Sequence, residues 1–399
     1  MIEINEAVQI LVEKVRRQND IEVVSLLDST ERILAENIYS DINVPDFPKS
    51  AMDGYALRSI DTKGASKDNP IEITVIEKIY AGDFSTIKAG EKTAVRLMTG
   101  SFIPEGYDSV IKQELTNYGE HKVEIYEEIP PYNHYCPIGE DVKKGDLIFS
   151  KGTKITSTHL GILASIGRDR VPVIKSMKVS LISTGSELLK PGNKLEPGKI
   201  FSSTNYIIAS NLLHNGIEIQ NLSISSDDIQ GLSEQIVSNL EESDILLTTG
   251  GVSVGDKDLM PDVMKHIGAE ILFHSVAMKP GTPVLAASYK NKLLLCFSGN
   301  PYASLANFNV LFWPVASAFY GSEDLQLKRF KLVIEEGYLK KSRLTRLVRA
   351  KEKQGKIYLV DKVHKSSVIS NMVDCNVMVI QRPNTEIKPG EEIEGFYLP

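Results

Sequence analysis

The pattern of hydrophobic and polar residues divides the chain into segments of different character. Near the N-terminus, apolar residues recur at helical spacing and predict one face of an amphipathic helix: Ala7, Val8, Leu11, Val12 and Val15. From Val44 onward, proline and glycine become frequent, and short β-like runs follow one another between turn residues. These runs predict a small all-β unit and cover residues 71–80, 93–100, 108–116 and 122–129.

Between about Val171 and Gly321, strand-like and helix-like segments alternate. Apolar runs typical of buried strands cover residues 178–184, 217–224, 244–251, 269–277 and 292–300. Segments typical of helices cover residues 203–216, 226–240, 256–268 and 302–321. This alternation predicts a parallel, doubly wound sheet with helices on both faces, where ligands bind beyond the carboxyl ends of the strands. After Gly321, β-rich and turn-rich segments predict a small C-terminal β-domain.

Composition and charge exclude several classes of protein. The 399 residues suffice for two to four domains, and 42% hydrophobic with 24% charged residues is typical of globular proteins. A formal net charge of −7 argues against a nucleic-acid-binding protein, which needs a concentrated basic surface. This net charge does not exclude a local basic pocket that binds a small anion.

The cysteines and the N-terminal segment indicate the compartment. Cys136, Cys296 and Cys375 are far apart and form no CxxC pair, so we expect neither a disulfide framework nor a structural zinc site. The N-terminal segment carries acidic residues early, unlike a signal peptide. No apolar run approaches the ~18 to 20 residues of a membrane span. We therefore expect a soluble, cytoplasmic protein.

Small and acidic residues are concentrated where four of the predicted strands end. Glycine loops there let backbone N–H groups approach phosphate oxygens, and nearby carboxylates can hold a divalent cation that bridges those phosphates. The pattern therefore favours a pyrophosphate-containing ligand bound with magnesium. The residues are Thr184, Gly185, Ser186 and Glu187 in the first segment, Asp227 and Asp228 in the second, Gly250, Gly251, Ser253, Gly255, Asp256 and Asp258 in the third, and Ser298, Gly299 and Asn300 in the fourth.

Each of these features also has a simpler explanation. Strand-end glycines often form only turns, Glu187 could be a solvated acid, and Ser-Asp-Asp before a helix is a common N-cap. The glycine loop matches neither of the two common nucleotide-binding fingerprints. Lys279 and Arg349 are candidate anion ligands that could instead be surface charges. A ligand-binding site is favoured because small and acidic residues follow four of the predicted strands at once.

The stretch SAMDGYA, residues 50–56, shows neither helical nor strand periodicity. It sets small residues around an acidic one, Asp53. Taken alone, it is consistent with a simple Asp-Gly turn.

Together with this stretch, seven further motifs resemble those of the MoeA-type molybdopterin molybdenumtransferases, a family whose animal relative is the gephyrin E domain. They occur in the family's order and cover essentially the whole chain. The motifs are SAMDGYA (50–56), MTG (98–100), PEG (104–106), GED (139–141), STGSEL (183–188), TTGGVSVGDKD (248–258), AMKPGTP (277–283) and SGNP (298–301).

The resemblance implies a multidomain α/β plus β fold. It implies a central Rossmann-like parallel α/β domain of the molybdopterin-binding type, a β-rich inserted domain, an elongated N-terminal helical or linker domain, and a C-terminal β-barrel-like domain. The corresponding boundaries are residues 1–43 with 137–172 for the N-terminal domain, 44–136 for the β-rich domain carrying SAMDGYA, 173–321 for the α/β domain and 322–399 for the C-terminal domain.

The resemblance also implies a reaction: magnesium-dependent insertion of molybdate into adenylylated molybdopterin with release of AMP. It implies a homodimer with active sites shared between protomers, in which Asp53 acts in trans, and molybdopterin adenylyltransferase as a pathway partner. The implied catalytic residues are Asp53, Glu187, Asp227 and Asp258, of which the last three would also bind magnesium. The implied substrate-binding residues are Thr99, Asp141, Thr184, Gly250, Gly251, Ser253, Gly255, Lys279, Pro280, Gly299, Asn300, Pro301, Arg349 and Ser366.

Four positions depart from the family pattern. Ser275 and Thr282 stand where relatives often have lysines, Ile138 stands for an arginine, and Ala303 replaces a serine. Because a charge-assisted hydrogen bond contributes roughly 1.5 to 3 kcal/mol, losing two could weaken molybdate binding on the order of a hundredfold unless other residues compensate. An alternative interpretation is therefore a divergent, non-catalytic protein that binds a molybdopterin nucleotide or serves as a scaffold.

Overall fold

The computed structural model describes residues 1–252, 258–360 and 365–399, and the chain forms two compact units. The large unit comprises residues 1–36, 151–160 and 170–399, and the small unit comprises residues 37–150 and 161–169. The small unit is thus inserted into the sequence of the large one.

Six α-helices lie in the described part of the chain: α1 Ile4–Lys14, α2 Ser157–Ser165, α3 Thr204–His214, α4 Ile229–Glu242, α5 Met260–Ile267 and α6 Pro301–Tyr320. Helix α1 confirms the predicted amphipathic helix, since Ala7 and Leu11 are buried. Val12 does not belong to the buried face, because it is 37% exposed. None of these helices combines the length and the apolar character that a membrane span requires.

The N-terminal part of the chain contributes mostly short strands. They are β1 Ile21–Ser25, β2 Ile38–Tyr39, β3 Lys49–Ser50, β4 Gly54–Leu57, β5 Ile71–Ile79, β6 Thr93–Leu97, β7 Ser109–Lys112, β8 Lys122–Ile125, β9 Tyr135–Cys136, β10 Leu147–Phe149 and β11 Arg170–Ile174. In the small unit, β7-β4-β6-β5-β8 form a five-stranded sheet, and β3 pairs with β9 and β2 with β10. Each of the four predicted β-runs contains one strand of the five-stranded sheet.

A six-stranded sheet forms the centre of the large unit. The strands of this region are β12 Lys178–Thr184, β13 Leu188–Leu189, β14 Ile200–Phe201, β15 Glu218–Ser225, β16 Ile245–Thr249, β17 Glu270–His274, β18 Met278–Lys279, β19 Val284–Tyr289 and β20 Lys292–Phe297. The order in the sheet is β15-β12-β16-β20-β19-β17, and the first four strands are parallel. The short strands β13 and β14 pair separately.

The prediction of an entirely parallel sheet is wrong at one edge. Strand β19 was not predicted, and it runs antiparallel to both β20 and β17. Strands β19 and β20 form a hairpin whose two turn residues, Lys290 and Asn291, have φ values of 48° and 64°. Two consecutive positive φ values suit the tight turns whose twist matches that of a hairpin. Asn291 is the weak local signal of this turn.

Both faces of the central sheet are covered, as the alternating pattern predicted. On one face, strand residues such as Leu181 and Leu247 pack in a cluster with α1, α3 and α6. On the other, Ile182 and Leu246 pack with α4 and α5. Neighbouring residues in the same strand therefore enter opposite cores, because side chains alternate between the two faces of a strand.

The C-terminal part forms a closed five-stranded barrel, which confirms the predicted β-barrel-like domain. Its strands are β21 Arg329–Ile334, β22 Thr345–Lys353, β23 Lys356–Leu359, β24 Val377–Gln381 and β25 Glu392–Tyr397. The order β22-β23-β21-β25-β24 closes through pairing of β24 with β22. Strand β18 also pairs with β22, in parallel, and sets Lys279 opposite Arg346.

Candidate active site

A cavity of about 970 Å3, called here the main cavity, lies beyond the carboxyl ends of the parallel strands in the large unit. Because these strand ends meet along one edge of the sheet, four segments distant in sequence line the same space. The predicted residues found in its wall are Thr184, Gly185, Glu187, Asp227, Gly250, Gly251, Asp258, Ser298, Gly299, Asn300 and Pro301. The predicted residues Ser253, Gly255 and Asp256 lie outside the described residues.

The two adjacent acids after β15 have different roles. The Asp228 carboxylate accepts a hydrogen bond of 2.6 Å from the Gly231 N–H and caps α4. The Asp227 carboxylate lines the main cavity and accepts a hydrogen bond of 3.1 Å from the Ser186 N–H. The N-cap interpretation is thus correct for Asp228, while Asp227 remains available to a ligand.

Asp258 is the most enclosed acid of the main cavity, with a side chain 15% exposed. Its Oδ2 lies 3.0 Å from Nε2 of His274 at the end of β17. The imidazole therefore fixes the orientation of this carboxylate. Sequence reasoning missed His274, because nothing in the local pattern around it signals a contact with residue 258.

The acids do not form a ready-made metal cage. Glu187 and Asp227 are exposed. Among residues 1–252, 258–360 and 365–399, no three His, Cys, Asp or Glu side chains gather closely enough to hold a metal ion by themselves. A cation bound here would need further oxygen ligands, which a phosphate group can supply.

A buried network of hydroxyl and amide groups supports the floor of the main cavity. Ser183 Oγ lies 2.9 Å from Thr249 Oγ1 and 3.2 Å from Ser202 Oγ. Thr249 Oγ1 in turn donates to Asn205 Oδ1 on α3, at 3.3 Å. These bonds join β12, β16 and α3, so the strand ends that carry the predicted site residues are held in a fixed arrangement.

Gly250 allows the loop after β16 to approach β12 closely. Its φ is +94°, and a Cβ atom at this position would lie 2.3 Å from the Thr184 carbonyl oxygen. Only glycine meets both conditions, since other residues are strained at such φ values and their side chains would collide with the backbone.

Replacing Gly250 with alanine should lower the melting temperature more than replacing Gly192 does. Gly192 has nearly the same φ, +93°, but apart from its two chain neighbours no described residue has an atom within 4 Å of its Cβ position. Backbone strain at such φ values costs about 1 to 3 kcal/mol in either variant, and Gly250→Ala adds the collision with Thr184. Thermal unfolding of both variants measures the difference. Equal melting temperatures would show that the loop relaxes at no cost.

A second, smaller cavity of about 300 Å3, called here the basic cavity, adjoins the main one and shares Pro283, Ser298 and Asn300 with it. The predicted residues Lys279, Pro280 and Ser366 also line it. Its other lining residues are Gly281, Thr282, Tyr302, Ala303, Lys340, Arg346 and Leu347. Of these, Lys340 and Arg346 are the charged groups that sequence reasoning missed.

The structure does not place Arg349 in the wall of either cavity. The side chain is fully buried, and its guanidinium lies 4.3 Å from the centre of the Tyr302 ring. It donates hydrogen bonds to the carbonyl oxygens of Lys365 and Val368 and to Asn371 Oδ1. The geometry therefore indicates a structural role for Arg349, in ordering residues 365–371.

The remaining predicted residues lie in the small unit. Asp53 Oδ1 accepts hydrogen bonds from the Thr99 N–H, at 2.6 Å, and from Thr99 Oγ1, at 2.7 Å. These bonds lower the pKa of the Asp53 carboxyl below its ordinary value, because they stabilise the ionised form. Asp141 is exposed in the loop between β9 and β10.

The small residues around Asp53 serve the internal packing of the small unit. A Cβ atom on Gly54 would lie 1.9 Å from the Ile111 carbonyl oxygen, so glycine is required where β4 pairs with β7. Ser50 Oγ donates to the Met52 carbonyl oxygen at 2.6 Å. The frame that looked like a simple Asp-Gly turn thus holds an ionised carboxylate in a defined position.

Comparison with known proteins agrees with this geometry. Residues 2–167 match the family model of the MoeA N-terminal region (domain I and II), and residues 180–318 match that of a probable molybdopterin binding domain. The molybdopterin molybdenumtransferase of Bacillus subtilis (strain 168) is 35% identical over 372 residues, which cover 92% of this chain and 86% of the relative. The chain belongs to the molybdopterin molybdenumtransferase family.

Other members of the molybdopterin molybdenumtransferase family agree. The enzyme of that name from Staphylococcus aureus (strain COL) is 35% identical over 382 residues, covering 95% of this chain and 91% of the relative. The crystal structure of the molybdopterin biosynthesis MoeA protein from Pyrococcus horikoshii OT3 matches all of both chains, with a TM-score of 0.84 and 27% identity. The fold is thus MoeA-like, and the expectation of a transferase of molybdenum cofactor biosynthesis is confirmed.

Proposed function

We propose that this molybdopterin molybdenumtransferase uses magnesium and inserts molybdate into adenylylated molybdopterin, with release of AMP. The observation that carries the proposal is the junction of two cavities of opposite character. The main cavity is lined by Glu187, Asp227 and Asp258, and the adjoining basic cavity by lysine and arginine side chains. A reaction that joins a nucleotide-linked substrate to an oxyanion needs both.

The nucleotide half of the substrate fits the main cavity. At Gly250, Gly251 and Gly299 the backbone itself lines the cavity. The 20-residue helix α6 begins at Pro301, which also lines the cavity. Backbone N–H groups and the positive end of a helix favour phosphate oxygens. A pyrophosphate bound here would also lie close to the acidic side chains that line the cavity.

The acids suit magnesium that is bound together with phosphate. Carboxylate oxygens are the ligands that Mg2+ prefers, and Mg2+ commonly takes one or two carboxylates, substrate phosphates and water rather than a cage made only of protein. Glu187 and Asp227 would hold it and Asp258 would hold a water beside it, which agrees with acids that, among the described residues, line one cavity without converging on one point. When bound, the ion neutralises charge on the pyrophosphate.

Asp258 is the strongest candidate for the general base. Its carboxylate is oriented by His274 and less exposed than the other acids. In this role it accepts a proton from the water that attacks the molybdopterin-side phosphorus of the phosphoanhydride. The new P–O bond forms as the bridging P–O bond breaks, and the leaving group departs with the bridging oxygen as AMP.

Molybdate fits the basic cavity. Lys279 and Ser366 line it, and Asn300 lies in the wall that it shares with the main cavity. Asn300 precedes α6 but makes no side-chain cap hydrogen bond, so its amide remains available to a ligand. Thr282 stands where relatives often have lysine, and its Oγ1 donates to the Met278 carbonyl oxygen at 2.5 Å. The hydroxyl thus adds no charge to the cavity.

We further propose a homodimer in which Asp53 of one protomer acts at the main cavity of the other. The ionised carboxylate of Asp53, held by Thr99, supports a role beside a bound cation. Thr99 and Asp141 of the same protomer as Asp53 would also lie at that cavity. We also propose that the chain divides into the four domains given above and that the protein is cytoplasmic. Molybdopterin adenylyltransferase would supply its substrate.

The purified protein should release AMP from adenylylated molybdopterin when both magnesium and molybdate are present. We expect release to rise with molybdate to saturation and to stop on removal of magnesium by a chelator, and nucleotide quantification measures it. Tungstate tested in parallel reports which oxyanion is preferred. Tight binding of the nucleotide without AMP release under either oxyanion would contradict the proposal and favour a non-catalytic binding protein.

A further inference from the structure

The basic cavity receives two of its three cationic side chains from the C-terminal barrel region. Lys340 lies in the segment between β21 and β22, Arg346 lies on β22, and Lys279 lies on β18. None of the described residues that line this cavity is acidic. A small concave site with unbalanced positive charge attracts anions.

Arg346 is held in place by its contacts with Tyr338, and no carboxylate of the described residues pairs with it. The side chain is 6% exposed, its Nη1 donates to the Tyr338 hydroxyl at 2.7 Å, and the guanidinium lies 5.3 Å from the centre of the Tyr338 ring. Its Nε is buried without a hydrogen-bond partner among the described residues. Burying a cation without an anionic partner is unfavourable, and a bound anion relieves this cost.

The strand register places the cationic groups on one wall. Strands β18 and β22 pair in parallel with Lys279 directly opposite Arg346, and residues paired in this way lie on the same face of a sheet. Within the described chain, no carboxylate lies within ion-pair distance of Lys279 or Lys340, whereas the next residue, Lys341, pairs with Glu386 at 3.5 Å. No carboxylate of the described residues therefore competes with an anionic ligand for these two lysines.

We propose that Arg346 and Lys340 are binding residues for the oxyanion substrate and, with Lys279, set its affinity. The barrel then contributes directly to the reaction, by supplying charge to the basic cavity. This inference rests on the proposed function, which puts a tetrahedral dianion in this cavity. Molybdate and tungstate share this chemistry, and both are suitable probes.

The test compares Lys340→Met, Arg346→Met and Arg346→Lys with the matched control Lys341→Met. Titration calorimetry with molybdate alone measures binding, and AMP release measures the half-saturating molybdate concentration and kcat. We expect Lys340→Met to raise the dissociation constant for molybdate and the half-saturating molybdate concentration about 3- to 10-fold, since an exposed lysine contributes less than a buried group. Arg346→Met should raise the same two quantities about 10- to 100-fold, and Arg346→Lys should raise them less.

A binding role also predicts a split between the kinetic parameters. At saturating molybdate, kcat of Lys340→Met should remain close to that of the unmodified protein, because the variant loses affinity and not chemistry. Lys341→Met should change neither parameter by more than about twofold, because its ammonium group already pairs with Glu386 on the surface.

Unchanged molybdate binding in Lys340→Met and Arg346→Lys would overturn the inference, even if the unmodified protein releases AMP as proposed. If Arg346→Met does not fold, Lys340→Met decides the question, because Lys340 is exposed. If the unmodified protein binds molybdate but releases no AMP, the proposed function fails, and a loss of molybdate affinity in Lys340→Met still supports the inference. An unmodified protein that neither binds molybdate nor releases AMP in its presence overturns both.

Discussion

Replacing Asp258 with asparagine should lower kcat for AMP release by about 100- to 10,000-fold, the usual contribution of a general acid or base. The variant keeps the size of the side chain, and its amide oxygen can still accept a hydrogen bond from His274. It loses the negative charge and the ability to accept a proton. Single-turnover AMP release with saturating molybdate and magnesium measures the effect on chemistry.

Nucleotide binding separates this effect from misfolding. We expect Asp258→Asn to bind adenylylated molybdopterin within about tenfold of the unmodified protein, because the loss affects chemistry more than ground-state binding. Glu234→Gln, an equivalent loss of charge on the exposed surface of α4, is the matched control and should retain full activity. Near-normal AMP release by Asp258→Asn would show that another group is the base.

Replacing Asp53 with asparagine should lower AMP release about 100-fold in the homodimer and leave the fold intact. The asparagine Oδ1 can accept the same two hydrogen bonds from Thr99, so the variant removes charge with little change in loop geometry. Because those bonds lower the pKa of Asp53, the native side chain is ionised throughout the neutral range. Asp68→Asn, at an exposed position of the small unit, is the matched control.

Mixing the two inactive variants tests whether Asp53 acts in trans. A dimer with one Asp53→Asn and one Asp258→Asn protomer has one site that contains both native residues and one that contains neither. After subunit exchange at equal concentrations, half of the dimers are mixed, so about a quarter of the native activity should return. If Asp53 acted within its own protomer, every site would lack one residue, and mixing would restore nothing.

Much of the fold and of the main cavity could be predicted from the sequence. The alternation of apolar strands and amphipathic helices predicts a sheet covered on both faces, and β12, β15, β16 and β20 lie where it places them. The position of the site follows from the same pattern, because parallel strands bring their carboxyl ends to one edge. Residues as distant in sequence as Thr184 and Asn300 therefore line the same cavity.

The choice between neighbouring polar residues could not be predicted in this way. Asp227 and Asp228 are adjacent, and only the position of α4 decides that Asp228 caps the helix while Asp227 lines the cavity. Arg349 lies three positions after Arg346, and residues at an odd offset extend to opposite faces of a strand such as β22. The sequence favours Arg349 as the anion ligand, whereas the structure brings Arg346 to the cavity.

The sequence by itself determined the order of the elements, the acids and glycines at the strand ends, and the motifs that identify the family. These are local properties: hydrophobic periodicity reports the elements, and the residue identities themselves give the acids, glycines and motifs. Only the tertiary structure decided which face of β22 meets the basic cavity, that β19 enters the sheet between β20 and β17, and that His274 contacts Asp258. Strand β22 is buried on both faces from Arg346 to Ala350, so no alternation of polar and apolar residues records its orientation. Its facing is set by pairing with β18, β23 and β24, which are distant in sequence.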